Sequence, residues 1–233
     1  MEVPGCGVRY SRVSTDKLLI LEALNDWCGR SLAEGGEIKL NFGGNDPACA
    51  SGHELNELVE RMHSSPVVLY PVSGFTLGDA DQLRFGYADA KYRMMPESNG
   101  SRMDAIMIAE ASHIRDVDAA MSLWVMCATE DCIAYLSCQM EEHNLYFEED
   151  DELAAIRQII ASALLKNFSP GQAWNAIWRS VRGAAALSAR AYYNVPKASK
   201  TIPKKIDKVL TQHIGTRIEF SAYERLADRK SVV

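Results

Sequence analysis

The chain has 233 residues, with 25 Lys/Arg against 31 Asp/Glu for a formal charge of -6, and 47% of it is apolar. That apolar share excludes an intrinsically disordered chain, and 15 Gly with 8 Pro exclude a collagen-like or linker-dominated one. The length suffices for one large domain or two small ones with a real core, and no uninterrupted apolar run nears the roughly 18 residues of a bilayer span, the longest being 123–128.

Residues 1–12 carry Pro4, Gly5 and Gly7 and no apolar core segment, so no secretory signal peptide is expected there. Residues 15–28 predict a helix. Leu18, Leu21, Leu24 and Cys28, with Ile20 and Trp27, make a broad apolar face that Ser14 or Thr15 can cap. Residues 37–42 alternate, with Ile38, Leu40 and Phe42 on one side, which predicts a half-buried strand ended by Gly43 and Gly44. Residues 51–62 predict a second helix: Ser51 and Glu54 form a capping box, and Leu55, Leu58, Val59 and Met62 fall on one face. Residues 66–72 read as a short buried strand, 73–86 as turns around Gly74, Gly78 and Asp79, and 91–102 as an exposed loop. The apolar runs 103–109, 123–128 and 132–140 are too short for periodicity to separate strand from helix. Strands are favoured because 128–131 reads as a turn, with a helix over 116–121 joining the first two runs.

The last third is helical in pattern. Residues 150–167 place Leu153, Ile156, Ile160, Ala163 and Leu164 on one face, with acids at the start and Lys166 at the end, as a helix dipole favours. Ser169, Pro170 and Gln172 then form a strong helix start. Trp174, Ile177, Trp178, Val181 and Ala185 follow at helical spacing to about Tyr193, with Gly183 a point where the helix could split. Asn194, Val195 and Pro196 stop it. Thr201 caps a shorter helix bearing Ile202, Ile206, Val209 and Leu210; 215–220 suggests a strand, and Ser221 with Glu224 opens a last helix. The expected fold class is α+β: a mixed part with a small sheet over 1–149 and an all-helical part over 150–233. No Gly/Ser linker separates the two, so one composite domain is equally open.

Cysteines at 6, 28, 49, 127, 132 and 138 do not form the dense pattern of a disulfide scaffold, and a reducing cytoplasm is the expected compartment. Cys127, Cys132, Cys138 and His143 have the right ligand chemistry for tetrahedral zinc but the wrong spacing for the usual first pair, and their neighbours are apolar. Glu110, His113, Asp116 and Asp118 form the best polar cluster. His113 beside acids could serve as a general base, or the group could simply open a capped helix. Asp79 and Asp81 could hold a divalent ion or serve as turn residues. No phosphate-cradling glycine loop, G-x-S-x-G or H-E-x-x-H occurs. No cofactor or resident metal is therefore expected, and a non-enzymatic role is favoured over a hydrolase-like enzyme built around His113.

The net charge hides an asymmetry. Residues 168–233 hold 12 Lys/Arg and 4 Asp/Glu, whereas 1–167 hold 13 and 27; the acidic extreme is 141–152 and the basic extreme 194–208. Arg179, Arg182, Arg190, Tyr192, Tyr193, Asn194, Lys197, Lys200, Lys204, Lys205 and Lys208 interleave cations with two aromatics and an amide. Cations neutralise phosphates and aromatics stack on unpaired bases. The residues accordingly point to a nucleic-acid-associated accessory or regulatory protein, contacting nucleic acid through a basic helical C-terminal surface whose helix, turn, helix order over 184–193 and 201–212 loosely suggests a DNA-binding helical unit, though about seven residues stand where a helix-turn-helix has a short turn. The alternative is an interaction or immunity-type protein whose acidic segment engages a basic protein partner. A third arrangement would pack the basic surface onto segment 141–152. No membrane partner is expected.

Overall fold

The structure, a computed structural model, describes residues 7–41, 48–77, 83–110, 115–190 and 192–213. It is an α+β fold with α1 (Thr15–Trp27), β1 (Ile38–Lys39), α2 (Gly52–His63), β2 (Leu69–Ser73), β3 (Phe75–Leu77), β4 (Leu83–Phe85), β5 (Lys91–Met94), α3 (Arg102–Glu110), α4 (Val117–Glu142), α5 (Asp151–Leu165), α6 (Pro170–Ser188), α7 (Val195–Ser199) and α8 (Ile202–His213). It divides into two compact units, Met1–Trp124 and Val125–Val233. The division falls inside α4, ahead of the boundary expected at 149/150, because the second half of α4 contributes Cys132, Leu136 and Met140 to the helical core.

In the first unit, β5 is the middle strand of an antiparallel sheet ordered β1, β5, β2, while β3 and β4 form a separate antiparallel pair. Tyr92 and Met94 are fully buried, and Lys91 beside Tyr92 is exposed, the period-two alternation of a one-sided sheet. This corrects the loop expected over 91–102: the alternation spans four residues and is masked by the turn-forming stretch after Pro96. Pro71 lies on the edge strand β2, where a missing backbone donor is tolerated. α1 and α2 are clamped by polar contacts. The Lys17 amine donates to the carbonyls of Ser64 (2.7 Å) and Pro66 (3.0 Å) just beyond the end of α2, and Arg61 pairs with Asp16 at 3.2 Å. Ser51 caps α2 by accepting from the Glu54 amide, as the sequence pattern predicts.

The three strands expected over 103–140 are helices. Residues 103–109 fall in α3, and 123–128 and 132–140 belong to one helix, α4, in which the supposed turn 128–131 is an interior stretch. The reason lies in Glu130. It reads as a turn residue, yet its side chain is 2% exposed, with Oε1 receiving the Arg157 Nε of α5 at 2.7 Å and Oε2 its Nη2 at 3.3 Å. A bidentate guanidinium lets a carboxylate sit inside a helix–helix interface. By length and composition α4 could cross a bilayer. Its second half packs instead into a core with Ile156, Ile160, Ile177 and Val181.

The second unit is helical, as expected. α4 and α5 both end on an asparagine in the left-handed region, Asn144 (φ 52°) and Asn167 (φ 68°). At each, the next residue's amide turns back to the helix: Leu145 to the Met140 carbonyl at 2.8 Å, and Phe168 to the Ala163 carbonyl at 3.2 Å. These are Schellman closures, which asparagine enters at lower cost than other residues with a β-carbon. Ser169 then opens α6 with a complete capping box. α6 is unbroken at Gly183, contrary to the split considered there. The strand over 215–220 and the helix opened by Ser221 lie outside the described residues.

Removing the Arg157 guanidinium takes the bidentate partner from the buried Glu130 carboxylate. Arg157→Ala is expected to cost about 3 kcal/mol, read as a lower urea midpoint with unchanged slope.

Candidate nucleic-acid interface

The basic surface is built on the outer side of α6 and on the two short helices that follow it. α6 buries Ala173, Ala176, Ile177, Ser180, Val181 and Ala184. At 100° per residue, that face turns Arg179, Arg182 and Ala186 away from the core. The Arg182 guanidinium lies 4.5 Å over the Trp178 ring one turn earlier. Trp178 is thus a residue held beneath a cation rather than a plain core residue, whereas Trp174 packs beside Tyr135 at the core, ring centroids 5.8 Å apart. The i, i+4 spacing of Trp178 and Arg182 is the signal that would have revealed the pair.

Arg190 is exposed just past the end of α6. Tyr192 follows with 90% of its surface exposed. Tyr193, its neighbour, is half-buried, with the Lys197 ammonium 5.4 Å from its ring centroid. Asn194 caps α7, its Oδ1 accepting the Lys197 amide at 3.0 Å. That amide oxygen is committed to the backbone and is not presented to a base edge. α7 has five residues, about 7.5 Å of helix. It is too short to lie along a major groove, and it stands between α6 and α8 where a helix-turn-helix has only a tight turn. The stretch between the two helices, expected to be too long for a helix-turn-helix, is itself helical.

Lys204 and Lys208 lie one turn apart on α8, both exposed, and neither forms an ion pair among the described residues. Lys205 is half-buried. Its amine lies 3.2 Å from the place a β-carbon on Gly183 would occupy, so the side chain crosses α6 at this glycine. Burial, and then the positive charge of Arg190, pull the Lys205 amine below the ordinary lysine value. Lys200 is the cation that meets the acidic segment: its Nζ is 3.9 Å from Glu148 and 4.0 Å from Glu152. Among the described residues, the ion pairs between the basic and acidic stretches are both made by Lys200.

The acidic segment runs from the end of α4 to the start of α5. It borders a groove of about 650 Å³ floored by Met140, Leu145 and Leu153 and edged by Tyr146, Phe147 and Glu149. The carboxylates stand out in the sequence as a charge run, whereas Tyr146 and Phe147 gain significance only from the groove they edge.

The zinc arrangement is overturned. Cys127, Cys132 and Cys138 lie on one helix, where a six-residue step turns 600° and separates side chains that a strand would align. Cys132 is buried and Cys138 exposed, and among the described residues no three His, Cys, Asp or Glu are grouped to hold a metal ion. Asp116 caps α4, accepting the Ala119 amide at 3.0 Å. His113, Asp79 and Asp81 lie outside the described residues, so the cluster around His113 gains no geometry. No protein-family model, curated protein or solved structure matches the chain.

Gly183→Ala adds helix propensity where the atom in the way is the far end of a flexible lysine. A stability gain of up to about 1 kcal/mol is expected, seen as a higher thermal midpoint; a lower one would mean that Lys205 cannot move aside.

Proposed function

We propose that this protein is a nucleic-acid-associated accessory or regulatory factor that holds phosphate with the basic surface of α6–α8. The observation that carries the reading is the outward placement of Arg179, Arg182, Arg190, Lys197, Lys204 and Lys208 on one small helical unit. Exposed cations exchange their counterions for a polyanion when one arrives, and the released ions drive binding. Lys205, half-buried, and Lys200, shared with Glu148 and Glu152, have smaller parts. With Asn194 occupied as a cap, the surface tracks backbone rather than reading base edges, consistent with an accessory rather than a sequence-specific role.

Binding should weaken steeply with salt. The double change Lys204→Glu with Lys208→Glu should lower the log–log salt slope by roughly 0.7–0.9 for each phosphate that is no longer neutralised, measured by fluorescence anisotropy on labelled oligonucleotides. Wild-type affinity and slope in that variant would argue against the reading.

The groove beside 141–152 favours a second reading. Carboxylates around an aromatic and aliphatic floor suit a basic peptide, whose charges and apolar stems they would meet together. In a calorimetric titration with a Lys/Arg-rich peptide, Glu141→Gln with Glu149→Gln should reduce binding severalfold. Equal binding by wild type and variant would remove the groove from consideration.

A further inference from the structure

We infer that the nucleic acid is single-stranded and that Tyr192 is the platform on which an unpaired base stacks; the inference rests on the nucleic-acid reading above. Two consecutive tyrosines occupy the link between α6 and α7, and the structure treats them differently. Tyr193 is half-buried beneath the Lys197 ammonium, 5.4 Å from its ring centroid. Tyr192 is 90% exposed, the most exposed of the large apolar side chains among the described residues. An aromatic ring left in water forgoes the burial that makes such side chains valuable in a core. Described residues on either side of this ring are held by backbone hydrogen bonds. Before it, the Arg190 amide bonds the Leu187 carbonyl at 2.9 Å; after it, Asn194 caps α7.

Cations stand on both sides of this ring along the chain. Arg190 lies two residues before it, at the end of α6, and Lys197 lies in α7, held over the next ring. A flat π-face flanked by cations matches the chemistry of a base joined to its own phosphodiester: the ring takes the base and the cations take the backbone. Duplex bases are already stacked on one another and offer no free face to such a ring. Nor does α7, at five residues, provide a recognition helix for a groove.

The test uses the full-length protein, labelled oligo(dT) and a duplex of equal length, with anisotropy read at low and moderate salt. Wild type should bind oligo(dT) about tenfold more tightly than duplex, a gain of the size expected for one stacked base. Tyr192→Ala should abolish that preference while leaving duplex affinity unchanged, and Tyr192→Phe, which keeps the π-face, should retain it. Circular dichroism reports whether each variant keeps its helical content. Equal affinity for the two oligonucleotides, or an unaltered preference in a folded Tyr192→Ala variant, would overturn the single-strand inference while salt-sensitive binding still supported the parent reading. Failure to bind either oligonucleotide would overturn both.

Discussion

The packing of α6 sets the rest of the C-terminal unit. α5, α7 and α8 all pack against this helix. Its buried face is rich in small side chains, with Ala173, Ala176 and Ala184 fully buried beside Ile177 and Val181. Small residues let neighbouring backbones approach closely, and Ser180 satisfies its own hydroxyl by donating to the Ala176 carbonyl at 2.7 Å. Once that face is inside, helical geometry leaves Arg179 and Arg182 no direction but outward. The candidate surface is therefore a consequence of the core rather than a feature added to it.

Two polar devices align the helices around α6. The bidentate pair of Glu130 and Arg157 joins α4 to α5 within an otherwise apolar interface, and the asparagine closures at Asn144 and Asn167 reverse the chain tightly at the ends of those helices. The first closure brings Glu141, Glu148, Glu149 and Asp150 around the groove, and the second delivers Ser169 directly to the start of α6. Acidic side chains at the N-terminus of α5 also meet the favourable end of its dipole.

Among the described residues, the ion pairs between the basic stretch 194–208 and the acidic stretch 141–152 are those of Lys200. Lys200 reaches Glu148 at 3.9 Å and the more buried Glu152 at 4.0 Å, and an exposed pair such as that with Glu148 is worth at most about 1 kcal/mol. Such a contact can orient the start of α5 relative to α7 without neutralising the basic surface. Arg182 and Lys197 rest instead on aromatic faces, an arrangement that keeps a cation extended and positioned while its charge remains available to an anion.

Residue pattern alone determined the helices whose one-sided apolar stripes and caps are local: α1, α2, α5, α6 and α8, together with the α+β class and the placement of the basic residues in the helical part. Local signals suffice there because a cap or a 3.6-residue stripe is a property of adjacent residues. The stretch 103–140 defeated the same logic. α4 is apolar around most of its circumference, and the partner that makes Glu130 a core residue lies 27 positions away in α5. β5 was equally hidden, since a four-residue alternation acquires meaning only between β1 and β2. For the candidate surface, sequence supplied the cations and the two tyrosines. Only the tertiary structure decided that Tyr192 is open while Tyr193 is covered, that Asn194 is spent on a helix cap, that Lys200 is shared with carboxylates, and that one helix keeps Cys132 on a different face from Cys127 and Cys138. Exposure and pairing are set by what packs against a residue, and that information is distributed along the chain rather than carried by the residue itself.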